Sequence, residues 1–308
     1  MPPDTFFTAS PRWEWDIILY FFVGGIAGGC FLLAALLHFF GRPEDRPVIR
    51  IGFYVASVGA LLSGLVLTVD LSRPDRFWHM LIQSHSGRAM FKGWSPMSVG
   101  VWGLLLFGLF ASLAALGAVV EEGRFTWRPL RWAPVRVLTR SWLQDGIAVA
   151  GSVFGLFLAG YTGVLLSVTN RPLWADSPFL GALFLCSGAS TAAAALLLLG
   201  TRRKVAGTDT VERLARFDRG ALALELLVLV LFLASLGPAF RVLVGWWGLL
   251  LVVTVSGGIV APLVLEGFGS THVPRAATLV LLGGLLLRAV VILSSNGVYA
   301  VGSGVTGR

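Results

Sequence analysis

The sequence is poor in charged residues. Only 13% of its 308 residues are Asp, Glu, Lys or Arg, while 56% are hydrophobic; an average soluble domain has about 25% charged residues. A chain of this composition has too little polar surface to cover itself in water, which excludes a sizeable water-soluble domain. The formal net charge of +8 does not indicate a nucleic-acid partner, because the basic residues lie in short segments between apolar runs and not in one patch.

Cysteine and histidine are also scarce. The two cysteines, Cys30 and Cys186, both lie in apolar runs, so neither a disulfide nor a cysteine-ligated metal is expected. Of the four histidines only His38 lies in an apolar run, whereas a transmembrane haem needs paired axial histidines on facing helices. No phosphate-binding glycine loop, nucleophile elbow or HExxH motif occurs. We therefore expect no haem, no metal and no redox centre carried by this chain itself.

What the sequence does contain is a series of long apolar runs. Each has about the 18–25 residues that a helix needs to cross about 30 Å of hydrocarbon. The runs lie at 17–40, 51–70, 97–120, 147–168, 178–200, 220–238, 242–265 and 276–293. In lipid, only a helix can form all backbone hydrogen bonds within a single segment of this length. We therefore predict an all-α integral membrane protein of about eight transmembrane helices. We expect two four-helix bundles within one domain that covers residues 1–308.

Lysine and arginine are distributed unevenly between the two sides of this bundle. Most lie in the loops after the first, third, fifth and seventh helices, as in segments 121–144 and 201–219. Since cytoplasmic loops carry an excess of Lys and Arg, both termini are predicted to lie outside. The loop 72–93 is basic and rich in aromatic residues although it falls on the outer side, which indicates a docking surface.

Small residues recur every four positions along several of the predicted helices. Gly24 and Gly28 show this spacing on the first helix, and Gly151 and Gly155 show it on the fourth. Such stripes let helix backbones approach closely in lipid, where no hydrophobic force drives helices together. We interpret these glycines as packing contacts between helices and not as a ligand site.

Ionisable groups within a membrane are costly unless they have partners, so each one is a candidate for function. Glu225 and Arg288 lie well inside apolar runs, and Asp16 and Asp70 lie near the ends of theirs. The predicted topology places Glu225 in the inner half of the membrane and the other three, with Tyr161, in the outer half. Other interpretations stay open. Asp16 and Asp70 fit interfacial caps, Arg288 fits a side chain that reaches the headgroups, and Glu225 fits a carboxyl hydrogen-bonded to a neighbouring helix.

Four segments carry a family resemblance. They are LYFFVGGIAGGCFLLAAL (19–36), DLSRPDRFWHML (70–81), WSPMSVGVW (94–102) and GYTGVLLSVTNRPLW (160–174). In this order and spacing the chain resembles the NrfD/PsrC family, the membrane subunits of polysulfide reductase and related complex iron–sulfur molybdoenzymes. The match of motifs covers about residues 13–180, and the combination of the second and third segments is its most specific part.

The resemblance implies a haem-free, quinone-reactive membrane anchor of a respiratory oxidoreductase complex in the bacterial cytoplasmic membrane. Members of this family hold a quinol near the outer face and exchange electrons with a ferredoxin-like iron–sulfur subunit docked there, which serves a molybdopterin catalytic subunit. Quinone, with menaquinone as the expected type, would be the bound substrate. The chemistry of the terminal substrate would lie on another chain, and coupling to proton translocation is a further hypothesis.

The resemblance also implies where a quinone would bind. The family pocket uses the start of the first helix and a tyrosine on the fourth, here Tyr161. Where family members often have Asn or His before the first helix, this chain has Glu14 and Asp16, which are the alternative proton acceptors. A slot for quinone needs hydrogen-bond partners for two oxygens and groups that take protons from a quinol. We therefore add Asp70 and Arg288 to the predicted site.

Two further roles are predicted for this chain. Glu225, in the inner half, is a candidate for a proton route linked to quinone chemistry. The partner would dock through basic and aromatic residues of the outer loop, namely Arg73, Arg76, Phe77, Trp78 and Arg88. Two alternatives from other classes remain: a pure membrane anchor without a quinone site, and a secondary transporter or proton channel. The terminal substrate, the direction of electron flow and the oligomeric state are not encoded in these motifs.

Overall fold

The computed structural model describes residues 13–71, 73–123, 135, 137–169, 171–267 and 272–303, with side chains up to residue 295. The helices are α1 (Trp15–Phe40), α2 (Arg46–Asp70), α3 (Pro96–Glu122), α4 (Ser141–Ser167), α5 (Leu180–Arg202), α6 (Thr208–Ser235), α7 (Trp246–Gly267) and α8 (Val273–Ser303). Within these described residues, seven candidate spans are long and apolar enough to cross a membrane. The number is eight if α6 is counted with Gly237–Leu243, relative to which it is bent by 111°. The predicted all-α fold with about eight spans is confirmed.

The ends of α3 follow directly from the local sequence. Ser95 precedes the helix, and its Oγ accepts a hydrogen bond from the N–H of Ser98 at 3.4 Å. Pro96 is the first helical residue, where the missing N–H leaves no helical bond unmade. Gly123 ends the helix with a φ of 64°, in the left-handed region that glycine adopts at little cost. The motif WSPMSVGVW thus sets the start of a helix that lines the candidate site.

Three helices begin earlier than their apolar runs predict. α2 begins at residue 46, α4 at 141 and α6 at 208, against predicted starts at 51, 147 and 220. Hydropathy marks only the part of a helix that lies in hydrocarbon, whereas the backbone hydrogen bonds continue into polar first turns. In α6 ion pairs hold these turns, since Arg213 binds Asp45 at 2.8 Å and Asp209 binds Arg42.

The eight helices pack as two groups of four. α1–α4 form the first bundle and α5–α8 the second, while α1 also contacts α5 and α8. Gly28 of α1 meets Gly155 of α4 so closely that a Cβ on Gly28 would lie 2.3 Å from the carbonyl oxygen of Gly155. Gly258 and Gly283 join α7 and α8 in the same way, with 2.4 Å between such a Cβ and the opposite Cα. The prediction that Gly28 and Gly155 are packing residues is confirmed.

The two ends of the helices are named by the residues that lie at each end. We call the end where α1 begins and α2 ends, together with residues 73–95, the N-terminal face. The opposite end, which includes residues 41–45 and 203–207, is called the arginine face. The predicted orientation, with both termini outside, would make the N-terminal face the outer one. It stays a prediction from the distribution of Lys and Arg.

Candidate functional site

A cavity of about 630 Å³ lies at the N-terminal face of the first bundle. It is enclosed by the start of α1, the second half of α2, the first half of α3 and the end of α4. Leu61, Leu105 and Leu109 line it and are 65%, 42% and 49% exposed, so the cavity reaches the lipid-facing surface between α2 and α3. Its polar lining residues are Trp13, Tyr20, Thr68, Asp70, Ser112 and Tyr161. A mostly apolar cleft of this size, with few polar groups, suits a flat apolar ligand.

Tyr161 is held at the inner wall of this cavity by α3. The residue is 8% exposed, and its hydroxyl donates a hydrogen bond to the carbonyl oxygen of Pro96 at 2.7 Å. Its ring stacks on Phe157 with 5.1 Å between centroids. A Cβ on Gly100 would lie 2.1 Å from the Tyr161 hydroxyl oxygen. The glycine of the WSPMSVGVW motif therefore leaves the space that this phenol occupies.

Tyr20 of α1 lines the same cavity, although it was not among the predicted site residues. It is 3% exposed and lies near enough to Tyr161 for the two phenols to interact electrostatically. The available sequence signal was its place in the motif segment 19–36, one helical turn after Asp16. Two phenols thus border one apolar space.

Trp13, just before α1, closes another part of the cavity wall. Its ring stacks on Trp174, with 5.3 Å between centroids, and Trp174 donates its indole N–H to the carbonyl oxygen of Val291 at 2.9 Å. The guanidinium of Arg171 lies 5.0 Å from the Trp174 ring centre. The segment 160–174, which carries part of the family resemblance, therefore anchors the start of α1 to α8.

The acidic residues predicted for the site lie at or near the mouth of the cavity. Asp70, the last residue of α2, lines it and is exposed. Asp16 is exposed and does not line the cavity, but its charge interacts with that of Asp70. Glu14 is exposed and also stands outside the lining. Among the predicted carboxylates, Asp70 is thus the one with direct access to the cavity.

The loop between α2 and α3 covers the cavity from the water side. Phe77, Met80 and Leu81 line the cavity from this loop. Met90 ties the loop to α3, because its carbonyl oxygen accepts hydrogen bonds from the Trp102 Nε1–H at 3.2 Å and from the Ser98 hydroxyl at 3.3 Å. The loop is therefore a wall of the cavity as well as an outer surface.

The predicted docking residues are all exposed on this loop, and Phe77 also lines the cavity. Arg73, Arg76 and Arg88 are exposed, and Phe77 and Trp78 are 47% and 42% exposed. Within the loop, an antiparallel β-bridge between residues 82 and 89 closes a short hairpin. The loop thus presents cations and large aromatic groups together, the residue types that protein interfaces favour.

Arg288 and Glu225 lie apart from the cavity, although Arg288 was predicted to join the quinone site. Arg288 is fully buried and donates to Ser187 Oγ at 3.0 Å and to the carbonyl oxygen of Gly284 at 2.9 Å. A Cβ on Gly25 would lie 2.9 Å from its Nη2, which places the guanidinium between α1, α5 and α8. Glu225 accepts a hydrogen bond from Ser190 at 2.8 Å and interacts electrostatically with Arg288. Glu225 and Arg288 are thus two buried ionisable groups of the second bundle, 3% and 0% exposed.

A pair of buried carboxyl groups lies near the arginine face. Asp218 of α6 and Glu266 of α7 are 0% and 4% exposed, and their carboxyl groups face each other. Asp218 stands seven residues before Glu225, two turns of the same helix, and the two carboxyls interact electrostatically. Asp218 was not predicted as a functional residue, because it precedes the apolar run 220–238 from which this helix was predicted. Acidic groups therefore lead from the arginine face to the middle of the second bundle.

Comparison with known protein families bears directly on this arrangement. The family described as polysulphide reductase, NrfD, matches residues 5–300. The chain belongs to this family. The expectation drawn from the four motifs is thereby confirmed, and it extends over α5–α8, where those motifs do not reach.

Individual relatives within and around the NrfD family are of moderate similarity. "Protein NrfD" of Escherichia coli (strain K12) is 28% identical over 307 residues, which cover 91% of this chain and 93% of that protein. A polysulfide reductase chain of Wolinella succinogenes is 29% identical over 197 residues, covering 61% of this chain and 58% of that protein. A selenate reductase subunit of Mesobacillus selenatarsenatis is 27% identical over 75 residues, 24% of this chain and 18% of that protein.

With its many apolar helices, this chain is a multi-pass membrane protein.

Proposed function

We propose that this chain is the quinone-reactive membrane subunit of a respiratory oxidoreductase complex in the bacterial cytoplasmic membrane. The observation that carries the proposal is the cavity of about 630 Å³, with Tyr161, Tyr20 and Asp70 around an otherwise largely apolar space. A quinone headgroup is a flat ring with two oxygens, so it needs little more than such a slot and a few hydrogen-bond partners. The opening between α2 and α3 would let an isoprenoid tail remain in lipid.

The side chains at the cavity fit the proton chemistry of a quinol. A quinol, menaquinol being the expected type, gives up two electrons and two protons when it is oxidised. The Tyr161 hydroxyl can accept a hydrogen bond while it donates to Pro96, so it can hold a quinol O–H. Asp70, at the mouth, can take the released proton to water, and Asp16 nearby offers a second carboxylate for that proton. In the reducing direction the same groups would deliver protons.

Replacing Tyr161 by Phe tests this assignment with the smallest change of shape. The ring would keep its packing on Phe157 and Gly100, while one hydrogen bond of about 0.5–1.5 kcal/mol would be lost. We expect quinone to bind about two- to tenfold more weakly, with slower quinol turnover and unchanged dye-linked activity of the catalytic partner. Asp70→Asn should slow turnover with less effect on binding. Parent-like binding and turnover in Tyr161→Phe would place the pocket elsewhere, with Glu14 and Asp16 to be examined next.

The partners proposed for this chain follow from its relatives and from the loop 73–95, here called the docking loop. One relative is named as a chain of polysulfide reductase and another as a subunit of selenate reductase. We propose that a ferredoxin-like iron–sulfur subunit sits on the docking loop and passes electrons to a molybdopterin catalytic subunit. Phe77 both lines the cavity and is 47% exposed. The wall between a bound quinone and such a partner would therefore be a single side chain thick at this point.

Proton movement through the second bundle is the second part of the proposed function. Glu266, Asp218 and Glu225 are buried acids that run from the arginine face toward Arg288. Intramembrane acids of this kind are costly and are typical of proton routes. The alternative function, a proton channel or secondary transporter, would use the same residues without the cavity and without the docking loop. A pure anchor would use the docking loop but neither the cavity nor these acids.

Glu225→Gln tests the proton route because the amide keeps the shape and the hydrogen bond from Ser190 but does not titrate. We expect membrane-potential generation by the reconstituted complex to fall several-fold, while quinone binding at the remote cavity is unchanged. Glu212→Gln is the matched control, since Glu212 lies on the same helix with its side chain 70% exposed. Normal turnover and normal potential in Glu225→Gln would leave this carboxyl a purely structural role.

A further inference from the structure

A second cavity lies in the first bundle, at the end opposite to the candidate quinone cavity. Its volume is about 270 Å³, and it is bordered by the end of α1, the start of α2, the end of α3 and the start of α4. At about 30 Å³ for each water-sized group, this space holds about nine such groups, close to the size of a phosphoglycerol headgroup. Its position at the end of the spans puts it at headgroup level.

The lining of this cavity is divided into an apolar floor and a cationic rim. The floor includes Ile49, Phe53, Leu113 and Ile147. Arg42, Arg46 and Arg50 stand on the rim, where Glu121 is the one carboxylate among the described lining residues. His38, also on the rim, is hydrogen-bonded to Asp145 at 2.8 Å. An amphipathic, net positive pocket of this kind matches a ligand with an anionic head and an apolar continuation.

The arginines of the rim are only partly satisfied by protein groups. The guanidinium of Arg46 makes no hydrogen bond or ion pair within the described part of the chain, and the residue is exposed at the cavity mouth. Arg50 lies 3.7 Å from a Glu121 oxygen and 3.9 Å from a Glu122 oxygen, beyond hydrogen-bonding distance, and its buried Nε has no acceptor. Glu121 itself accepts a hydrogen bond from Gln144. Guanidinium donors are therefore available to an external anion.

We propose that this pocket binds the headgroup of an anionic phospholipid. A phosphate oxygen would accept hydrogen bonds from Arg46 and Arg50, and these charge-assisted bonds are stronger than neutral ones. The glycerol and the first methylenes of the chains would lie on the apolar floor, which a free phosphate ion would leave uncovered. Basic pockets between helices at the headgroup level are suited to this class of lipid. The lipid would bridge the ends of all four helices and stabilise the first bundle.

This site is independent of the quinone cavity, so it is tested by binding and not by turnover. The full chain, delipidated in detergent, is titrated with phosphatidylglycerol or phosphatidylcholine, with and without inorganic phosphate as a competitor. Bound lipid is counted by native mass spectrometry, and the midpoint temperature of unfolding is measured in parallel. We expect retention of one phosphatidylglycerol and a raised midpoint with that lipid alone. Arg46→Gln and Arg50→Gln should each weaken phosphatidylglycerol binding at least about tenfold.

The control is Arg216→Gln, which removes the same charge near the arginine face from an exposed side chain paired with Glu212 at 3.9 Å. It should bind phosphatidylglycerol like the parent. Since the Arg46 side chain has no partner to lose within the described part of the chain, Arg46→Gln is expected to fold normally even if Arg50→Gln does not. Three results would overturn the proposal: equal binding of phosphatidylcholine, parent-like binding in Arg46→Gln, or full competition by inorganic phosphate.

Discussion

Gly64→Phe is expected to abolish most quinone binding and quinol turnover while leaving the fold intact. Gly64 lines the candidate cavity, and a Cβ built on it meets no atom within 4 Å. The phenyl ring would therefore occupy the space proposed for the quinone ring or its tail. Overpacking of a filled site costs about 1–3 kcal/mol, so binding should weaken about five- to 150-fold. Because glycine is a poor helix former, its replacement within α2 should not weaken the helix itself.

Gly146→Phe is the matched control for this variant. A Cβ built on Gly146 also meets no atom within 4 Å. Gly146 lies near the start of α4, away from the cavity residue Tyr161 near its end, and it lines neither cavity. It should assemble, bind quinone and turn over quinol like the parent. Quinone affinity and quinol-dependent reduction of the partner are the two measurements. If Gly64→Phe keeps both, the cavity is not the quinone site.

Reversal of Arg73 and Arg76 to Glu is expected to release the soluble subunits from the membrane. Both arginines are exposed on the docking loop beside Trp78. Loss of one partner of a desolvated charge pair costs about 2–5 kcal/mol, and reversal adds repulsion from the acidic groups expected on the iron–sulfur partner. Two reversals together should therefore weaken association at least about a hundredfold. Co-purification of the subunits at moderate salt reports the effect.

Arg241→Glu provides the comparison for the docking reversals. Arg241 is exposed at the same N-terminal face, but it belongs to the turn Gly237–Leu243 after α6 and not to the docking loop. It should leave the complex assembled. A complex that survives both loop reversals and high salt would show that the main contact lies on another surface.

The fold was predictable because length and hydropathy suffice to recognise spans in lipid. The starts of α2, α4 and α6 were not, because their first turns are polar and are stabilised by contacts between distant segments. The pair Asp45–Arg213, 2.8 Å apart, joins the start of α2 to the first turns of α6. The hydropathy and the residue spacing within one segment do not predict a contact between two distant segments.

The sequence predicted how deep in the membrane the candidate site residues lie, but not toward which neighbouring helices their side chains point. Tyr161 and Asp70 lie in motif segments, and both line the cavity. Arg288 was placed in the same half of the membrane from its distance to the end of α8, yet its guanidinium packs between α1, α5 and α8. Residue spacing gives the height of a side chain along the membrane normal, whereas the side toward which it points depends on how helices pack. Tyr20 was missed for the same reason.

The central claim is that quinone binds in the first bundle, at the N-terminal face. The most direct test is photolabelling of the purified protein with an azidoquinone, followed by mapping of the labelled peptides. The label should fall on segments 13–21, 60–71, 97–109 and 161–165, which line the cavity, and excess quinone should compete with it. Gly64→Phe should lose this label, and Gly146→Phe should keep it. Competed labelling confined to α5–α8, for instance around Arg288, would contradict the assignment.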